Sequence, residues 1–233
     1  MSNCKILLNS PLPNHAFCPI PIVKNILPCE ALSRAISCSS NDEHSFGKYK
    51  FHPEVESQIN KQINHEQDAS QIYLAIAGYF GNVNVARRGC YHFFIEMHKE
   101  ETQHAGSLIK YQLLRGGQVL INKLEAPCLK ETSILQYFEK ALQMELEITA
   151  VSLDVIKEKY ISPYKLEHLI DLAEKHKDYH CLEYITAEFM KEQINSISIL
   201  ANLITNIKHL GNNEINLYLF DLTLEKKHCK SIL

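Results

Sequence analysis

Residues 94–111 have the sequence FIEMHKEETQHAGSLIKY, and this segment carries the strongest indication of the fold. Its apolar residues recur at alternating steps of three and four, the spacing of one face of an α-helix. Two ionisable residues, Glu101 and His104, occupy positions on that face. The full stripe is Phe94, Met97, Glu101, His104, Leu108 and Tyr111. The segment therefore predicts an amphipathic helix that directs a carboxylate and an imidazole into the protein interior.

The same helical pattern continues through the chain from His52 onward, with no period-2 alternation long enough for a sheet. We expect four long helices, each about 40 Å long at 1.5 Å per residue. Their predicted ranges are residues 53–80, 85–115, 132–161 and 178–210. The expected fold is all-α, a four-helix bundle.

The connections between the predicted helices indicate how the bundle is wound. Gly81-Asn82 joins the first two helices tightly, which favours an antiparallel hairpin. The segment after Arg115-Gly116-Gly117 continues to Glu131, long enough to cross the length of the bundle between helices two and three. Gly211 should end the fourth helix, and residues 214–225 predict a short fifth helix at the C-terminus.

Each predicted helix carries a polar residue near the middle of its apolar stripe. These residues are Glu66 in the first helix, Glu145 in the third, and Glu192 or Gln193 in the fourth. Burying several unpaired carboxylates would cost most of the stability of a domain. The central turns of these stripes contain no lysine or arginine, so the pattern predicts a pair of divalent metal ions. Carboxylate-rich ligation with one imidazole favours iron over zinc.

Taken singly, the same residues have simpler interpretations. An isolated interior His104 would be a hydrogen-bonded core histidine, and Tyr73 would be core packing. A second Glu-x-x-His, Glu225 to His228, is interpreted as a solvated surface pair. The coincidence of four ligand-type residues on three apolar stripes is what favours a metal site.

Charge and cysteine content argue against nucleic-acid or membrane partners and against a cysteine-based framework. The net charge is −3, from 24 basic and 27 acidic residues, which favours neither a nucleic-acid nor a membrane partner. The eight cysteines form no Cys-x-x-Cys pair and are spread along the chain, so we expect reduced thiols and no zinc module or disulfide framework.

Residues 1–50 differ from the remainder of the chain. They contain five of the eight prolines and a serine-rich stretch, which predicts a flexible N-terminal extension ahead of a domain at 51–233. Basic residues outnumber acidic ones up to Ser40, as in an organelle transit peptide. We expect a cytoplasmic protein, with a mitochondrial precursor as the alternative.

The chain resembles the eukaryotic ferritins of the heavy-chain, ferroxidase type over roughly residues 52–225. The resemblance rests on short motifs in the order and spacing of the family. These motifs are Ile63-Asn64-His65-Glu66, Tyr73-Leu74, Glu100-Glu101-Thr102-Gln103-His104-Ala105, Arg115-Gly116-Gly117, Glu192-Gln193 and Tyr218-Leu219-Phe220-Asp221. It implies a hollow cage of twenty-four subunits, homomeric or mixed, that oxidises ferrous iron with dioxygen and stores ferric oxide mineral.

The resemblance also implies a role for each site residue. Glu66 and His104 would be terminal ligands of the first iron, and Glu101 would bridge the two ions. Glu145 would be the terminal ligand of the second iron. Gln193 would hydrogen-bond near that second ion, and Tyr73 would lie beside the pair. All the ferroxidase positions of the family are filled.

Two departures from the family lie outside the oxidation site. The acidic cluster of the inner surface is thinner here, with Lys99, Gln103 and Gly106 at positions often polar or acidic. Glu96 and Glu100 are then the nearby carboxylates, so mineral nucleation is less strongly predicted than oxidation.

The second departure is an extra segment at about residues 162–176, which predicts a short amphipathic helix near 166–173. We expect it at the outer mouth of a three-fold entry channel, and a surface excursion is the alternative. The resemblance places Glu183 in that channel, with His180 one turn outward. Thr186 stands where the family usually has a second acidic residue.

Two other functions stay open from the sequence. One is a structural ferritin subunit without its own oxidase activity, and the other is a di-iron oxidoreductase acting on an organic substrate. The second class usually carries another Glu-x-x-His, whereas Ile148 stands three residues after Glu145.

Overall fold

The structure is a computed structural model that describes residues 47–149 and 166–228. Within these residues it contains helices and no strand, which confirms the all-α prediction. The helices are α1 Pro53–Gly81, α2 Arg88–Leu114, α3 Ile134–Thr149, α4 Leu166–Lys175, α5 Tyr179–Ile185, α6 Lys191–Leu210 and α7 Glu214–His228, with a π-helical turn at Thr186–Met190 between α5 and α6.

The first two helices lie where the sequence predicts them. Pro53 opens α1, where its missing N–H costs nothing, and His52 caps the helix by accepting the N–H of Glu54 at 3.2 Å. Helix α2 ends at Leu114, and Gly116 then adopts a φ of +73°, a conformation that favours glycine. Helices α1 and α2 pack against each other, as expected of a hairpin.

The long crossover after α2 is held along α1 by two asparagines one helical turn apart. Asn60 donates to the carbonyl of Gln118 at 2.9 Å and accepts the N–H of Leu120 at 2.9 Å. Asn64 donates to the carbonyl of Leu120 at 2.8 Å and also accepts a backbone N–H from the crossover. The two side chains thus satisfy backbone groups that an irregular segment cannot pair by itself.

The third predicted helix is described as α3 up to Thr149, and its predicted remainder to residue 161 lies outside the described residues. The short helix predicted near 166–173 is confirmed as α4. It contributes Leu166, Leu169 and Ala173 to the buried core, so this part of the extra segment packs against the bundle. Its expected place at a channel mouth and the alternative, an excursion away from the channel axis, both stay predictions.

The fourth predicted helix is built from α5, the π-helical turn and α6 in direct succession. Asp178 caps its start by accepting the N–H of Cys181 at 3.1 Å, and Gly211, with a φ of +66°, ends it as predicted. The short fifth helix is confirmed as α7. It packs across the beginning of α2, where the side chain of Asp221 accepts the N–H of Cys90 at 2.8 Å.

The buried apolar residues form two clusters. The first cluster, at one end of the bundle, includes Tyr73, Phe80, Phe94, Phe138, Leu200 and Phe220. The second, at the other end, includes Val55, Ile59, Ile63, Leu108, Ile148, Leu166, Leu169 and Ile185. On α2, α3 and α6 the polar residues predicted to face the interior fall between the two clusters, whereas Glu66 on α1 lies beside Ile63 and Ala69 of the second cluster. Together these buried polar residues form one layer across the middle of the bundle, and they are Glu66, Glu101, His104, Glu145 and Gln193.

None of the helices in the described part of the chain is both long and apolar enough to cross a membrane. The expected N-terminal extension, residues 1–50, lies almost wholly outside the described residues, so its boundary with the domain stays a prediction.

Candidate metal centre

The centre of the polar layer is formed by α1 and α2. Glu66 is 1% exposed, Glu101 3% and His104 7%. One ligand atom from each residue lies within 4.8 Å of the other two. The sequence predicted all three as inward-facing, and the structure brings them together as a cluster that could hold a metal ion.

The hydrogen bonds around Glu66 are incomplete. Gln62 donates to Oε1 of Glu66 at 2.7 Å, while no donor group of the described residues reaches the buried Oε2. The carboxyl group of Glu101 lies close enough to Glu66 to raise its pKa further. A buried carboxylate oxygen without a donor costs free energy unless a cation binds it.

His104 connects the cluster to the fourth helix. Its Nδ1 lies 3.2 Å from Oε2 of Glu101, and its Nε2 lies 3.1 Å from Oε2 of Glu192 on α6. The ring packs against Phe189, with centroids 5.5 Å apart. Both ring nitrogens therefore face carboxylate oxygens.

Glu145 occupies the same layer on α3, next to this cluster. Its Oε1 accepts a short hydrogen bond from the hydroxyl of Tyr73, and its Oε2 accepts a short one from Nε2 of Gln193. These two donors fix the carboxylate within the interior, where it is 1% exposed. Within the described residues, Glu145 is not part of the group whose ligand atoms lie within 4.8 Å of one another.

The electrostatics of the layer favour a cation. Burial raises the pKa of Glu66 well above its ordinary value, and it does the same for Glu101, where the charge of Glu145 adds to the effect. Burial also raises the pKa of Glu145, against the hydrogen bonds from Tyr73 and Gln193. No lysine or arginine of the described residues pairs with the three carboxylates. A divalent ion would supply the missing positive charge.

Burial likewise raises the pKa of Tyr73 well above its ordinary value, and the negative charge of Glu145 raises it further. Its side chain is therefore a neutral phenol that donates to Glu145. Tyr73 thus fixes a carboxylate, a role beyond core packing.

A second group of possible ligands overlaps the first through His104. It consists of Glu100, His104 and Glu192. Burial, the hydrogen bond with Glu192 and the charge of Glu192 raise the pKa of Glu100 to about 7. The sequence had marked Glu100 only as a carboxylate near the oxidation site, and its contact with Glu192 was not predicted.

The choice between Glu192 and Gln193, left open by the helical periodicity, is resolved because both residues face the layer. Gln193 is 4% exposed and donates to Glu145, whereas Glu192 reaches His104 from the rim of the layer. Adjacent residues on an α-helix lie about 100° apart, so they contact different partners. The stripe marked one position or the other, and the resemblance had marked the pair and given Gln193 its role near the second ion.

The predicted channel residues lie apart from this layer. His180 and Glu183 are exposed residues three positions apart on α5. The ring of His180 stacks on Tyr111, with centroids 5.6 Å apart, and its Nδ1 lies 3.2 Å from the Tyr111 hydroxyl. Their channel role stays a prediction.

The interpretation of Glu225 and His228 as a solvated pair is wrong. Glu225 lies 3.3 Å from Nε of Arg88, and Nδ1 of His228 contacts Oε2 of Glu96. Their side chains are 25% and 14% exposed. Both residues fasten α7 to α2, because this face of α7 packs across the bundle.

Comparison with known proteins agrees with this arrangement. The family model of the ferritin-like domain matches residues 56–210. Ferritin-1 heavy chain of Schistosoma mansoni is 33% identical over 178 residues, covering 76% of this chain and 94% of the relative. Soma ferritin of Lymnaea stagnalis is 34% identical over 178 residues, with the same coverage.

A relative from plants shows the same likeness over a smaller share of its own length. Ferritin-2, chloroplastic, of Glycine max is 35% identical over 156 residues, covering 67% of this chain and 57% of the relative. The segment that the family model matches contains the polar layer and all of the four helices of the bundle except the first three residues of α1. The chain therefore belongs to the eukaryotic ferritins, the iron-binding four-helix-bundle proteins that store iron.

Proposed function

We propose that this chain is a ferritin subunit of the heavy-chain type, which oxidises ferrous iron with dioxygen at the buried polar layer. The observation that carries the proposal is the cluster of Glu66, Glu101 and His104. Their ligand atoms lie within 4.8 Å of one another, in the interior, without a lysine or arginine partner in the described residues. A subunit that only built a cage would have no reason to bury this charge.

Ferrous iron is the substrate of the proposed reaction. Glu66 and His104 would bind one ion, and Glu101 would lie between that ion and a second one bound by Glu145. Binding displaces the protons that burial favours on these carboxyls, because a divalent cation stabilises their ionised forms. Two ferrous ions would each give one electron to dioxygen, and ferric iron would leave for storage as hydrous oxide.

The neighbouring residues have positioning roles in this proposal. Tyr73 and Gln193 each donate to one oxygen of Glu145, which holds that carboxylate in a fixed orientation before iron arrives. Glu192 approaches Nε2 of His104 from the half-exposed rim of the layer, where its side chain is 45% exposed. We infer that Glu100 and Glu192 form the route by which ions pass between this layer and the surface.

The proposal includes the assembly and the compartment. Ferritins in general form cages of twenty-four subunits, and we propose such a cage here, homomeric or mixed, with the mineral inside it. We also propose that Glu183 and His180 lie at the channel by which iron enters. The compartment we propose is the cytoplasm, with the mitochondrion as the alternative for a chain whose N-terminal extension acts as a transit peptide.

Oxidation of an organic substrate is the less favoured function. A second Glu-x-x-His would place a histidine at position 148, where the structure has an isoleucine with no exposed surface in the second apolar cluster. This position therefore belongs to the core packing, and a single imidazole serves the layer.

The test is the double substitution Glu101→Ala with His104→Gly in the full chain. Rapid oxygen uptake on addition of ferrous iron should be lost, while size-exclusion chromatography and circular dichroism should match the parent, because the apolar stripes hold the helices. The matched control is Gln103→Ala with Lys110→Gly, which places the same two residues at exposed positions of α2.

The control should oxidise iron at the parental rate, because it carries the same loss of helix propensity without touching the layer. Oxidation at the parental rate in the Glu101 and His104 variant would refute the site. A parent protein that forms a cage but takes up no oxygen would instead support the structural subunit.

A further inference from the structure

A second set of metal-ligating side chains lies outside the buried layer, at the start of the bundle. His52 immediately precedes α1, Glu54 is in the first turn of α1, and His176 follows α4. Glu54 and His176 are 122 residues apart in sequence. They meet because the second apolar cluster packs α4 against α1, which brings the end of α4 beside the beginning of α1.

The geometry of the three side chains resembles a coordination site. Nε2 of His176 lies 2.8 Å from Oε2 of Glu54, and the rings of His52 and His176 stack with centroids 3.4 Å apart at 11°. One ligand atom of each residue lies within 4.8 Å of the other two. Two ligands of a tetrahedral zinc ion are separated by roughly 3.3 Å when each bond is about 2.0–2.1 Å long. The distance from Nε2 of His176 to Oε2 of Glu54 is close to that value. The stacked rings must turn about their side-chain bonds so that a lone pair of each, which lies in the ring plane, points at one ion.

Each of these ligand atoms has a contact that a metal ion would replace. Nδ1 of His52 accepts the Glu54 N–H at 3.2 Å, at the long end of the range for such bonds, so its lone pair already points to an electropositive group. Nζ of Lys175 lies 2.8 Å from Oε2 of Glu54, but the lysine side chain is 61% exposed and can turn into solvent. Lys175 and His176 hold the pKa of Glu54 down at about 2, so the carboxylate is ionised at neutral pH.

We propose that His52, Glu54 and His176 form a surface site for a zinc-class divalent ion, which ties the start of α1 to the end of α4. Two imidazoles and one carboxylate, with water in the fourth position, suit zinc. The same ligand set binds ferrous iron more weakly than zinc, following the usual order of divalent metals.

The test measures zinc binding in the full chain carrying Glu101→Ala and His104→Gly, which removes the buried layer as a competitor. In this background, His176→Gln removes one ligand, and His168→Gln is the matched control. His168 is an exposed histidine within α4, and it lies outside the cluster. Glu54→Gln is a second variant that removes a different ligand.

Titration of zinc against a chromophoric chelator should give one ion more per chain in the background protein than in either ligand variant. Loss of a ligand should weaken this site by at least about 10-fold, since even indirect partners of a ligand contribute that much. The His168→Gln variant should match the background. Cobalt should give the intense visible bands of tetrahedral coordination, and these bands should disappear in His176→Gln.

Equal zinc stoichiometry and affinity in all four proteins would overturn the proposal. Equal losses in His168→Gln and His176→Gln would also overturn it, because they would indicate general binding by surface histidines. Neither result bears on iron oxidation, which depends on the buried layer.

Discussion

The contact between α2 and α7 rests on Gly89. A Cβ atom at this position would lie 1.9 Å from the carbonyl oxygen of Asp221 and 2.8 Å from the backbone nitrogen of Glu225. Both contacts are with backbone, which cannot turn aside as a flexible side chain can. The substitution Gly89→Ala should therefore displace α7 from the bundle.

The free-energy cost of displacing α7 follows from the apolar side chains that this helix buries. Phe220 and Leu224 are 7% and 3% exposed, and full burial of such side chains contributes about 1.5–3 kcal/mol each. The loss of contacts is then about 3–6 kcal/mol, partly offset by the conformational freedom that a released helix regains. We expect a net loss of about 3 kcal/mol in the docking of α7, or roughly a 100-fold change in its opening equilibrium.

Hydrogen exchange measured by mass spectrometry tests this directly. Amides of α7 should exchange about 100-fold faster in Gly89→Ala than in the parent, while the amides of α1 stay protected. The control is Gly106→Ala in the same helix, where an added Cβ meets nothing within 4 Å. It should leave α7 protected and stabilise α2 slightly. Unchanged protection of α7 in Gly89→Ala would refute the argument.

Three further predictions concern the surface, the N-terminus and the thiols. Glu183→Ala should slow iron oxidation at low ferrous concentration more than at saturation, since it removes electrostatic steering, and equal slowing at all concentrations would contradict this. Removal of residues 1–46 should leave assembly and oxygen uptake at parental levels by chromatography and oxygen electrode, because its prolines disfavour regular structure. At pH 8, a disulfide reagent should modify exposed Cys128 in the native protein but spare Cys181, which is fully buried and whose thiol pKa burial raises to about 12. Peptide mapping showing equal rates would disprove the last prediction.

Much of the fold was predictable because the apolar faces and the ends of helices depend on residues that are close together in sequence. The steps of three and four around Glu101 and His104 determine which side of a helix is apolar, and that side must face the core wherever the helix packs. The glycines at 116 and 211 end helices for reasons confined to one or two residues. For the same reason, the sequence alone indicated that three carboxylates and one imidazole share an interior.

Other parts of the site depended on contacts between distant segments. Helical periodicity could not assign Glu192 to His104 or Gln193 to Glu145, because those pairings depend on how α6 packs against two other helices. Only the family resemblance had placed Gln193 near the second ion. Glu225 shows the same dependence on distant contacts. Its Glu-x-x-His spacing with His228 is typical of an exposed pair, and only the packing of α7 against α2 brings both side chains into contact with α2.

Periodicity and capping act over a few residues, so the helices, the apolar stripes and the polar residues that interrupt them could be predicted from the amino-acid sequence. The burial of α4 in the core and the contact of His176 with Glu54, 122 residues away, depend on how the helices pack. Hydrophobic burial favours any arrangement that covers the apolar faces, and it acts without direction. The relative positions of the helices are therefore selected by the packing of all the faces together, and no single segment encodes them.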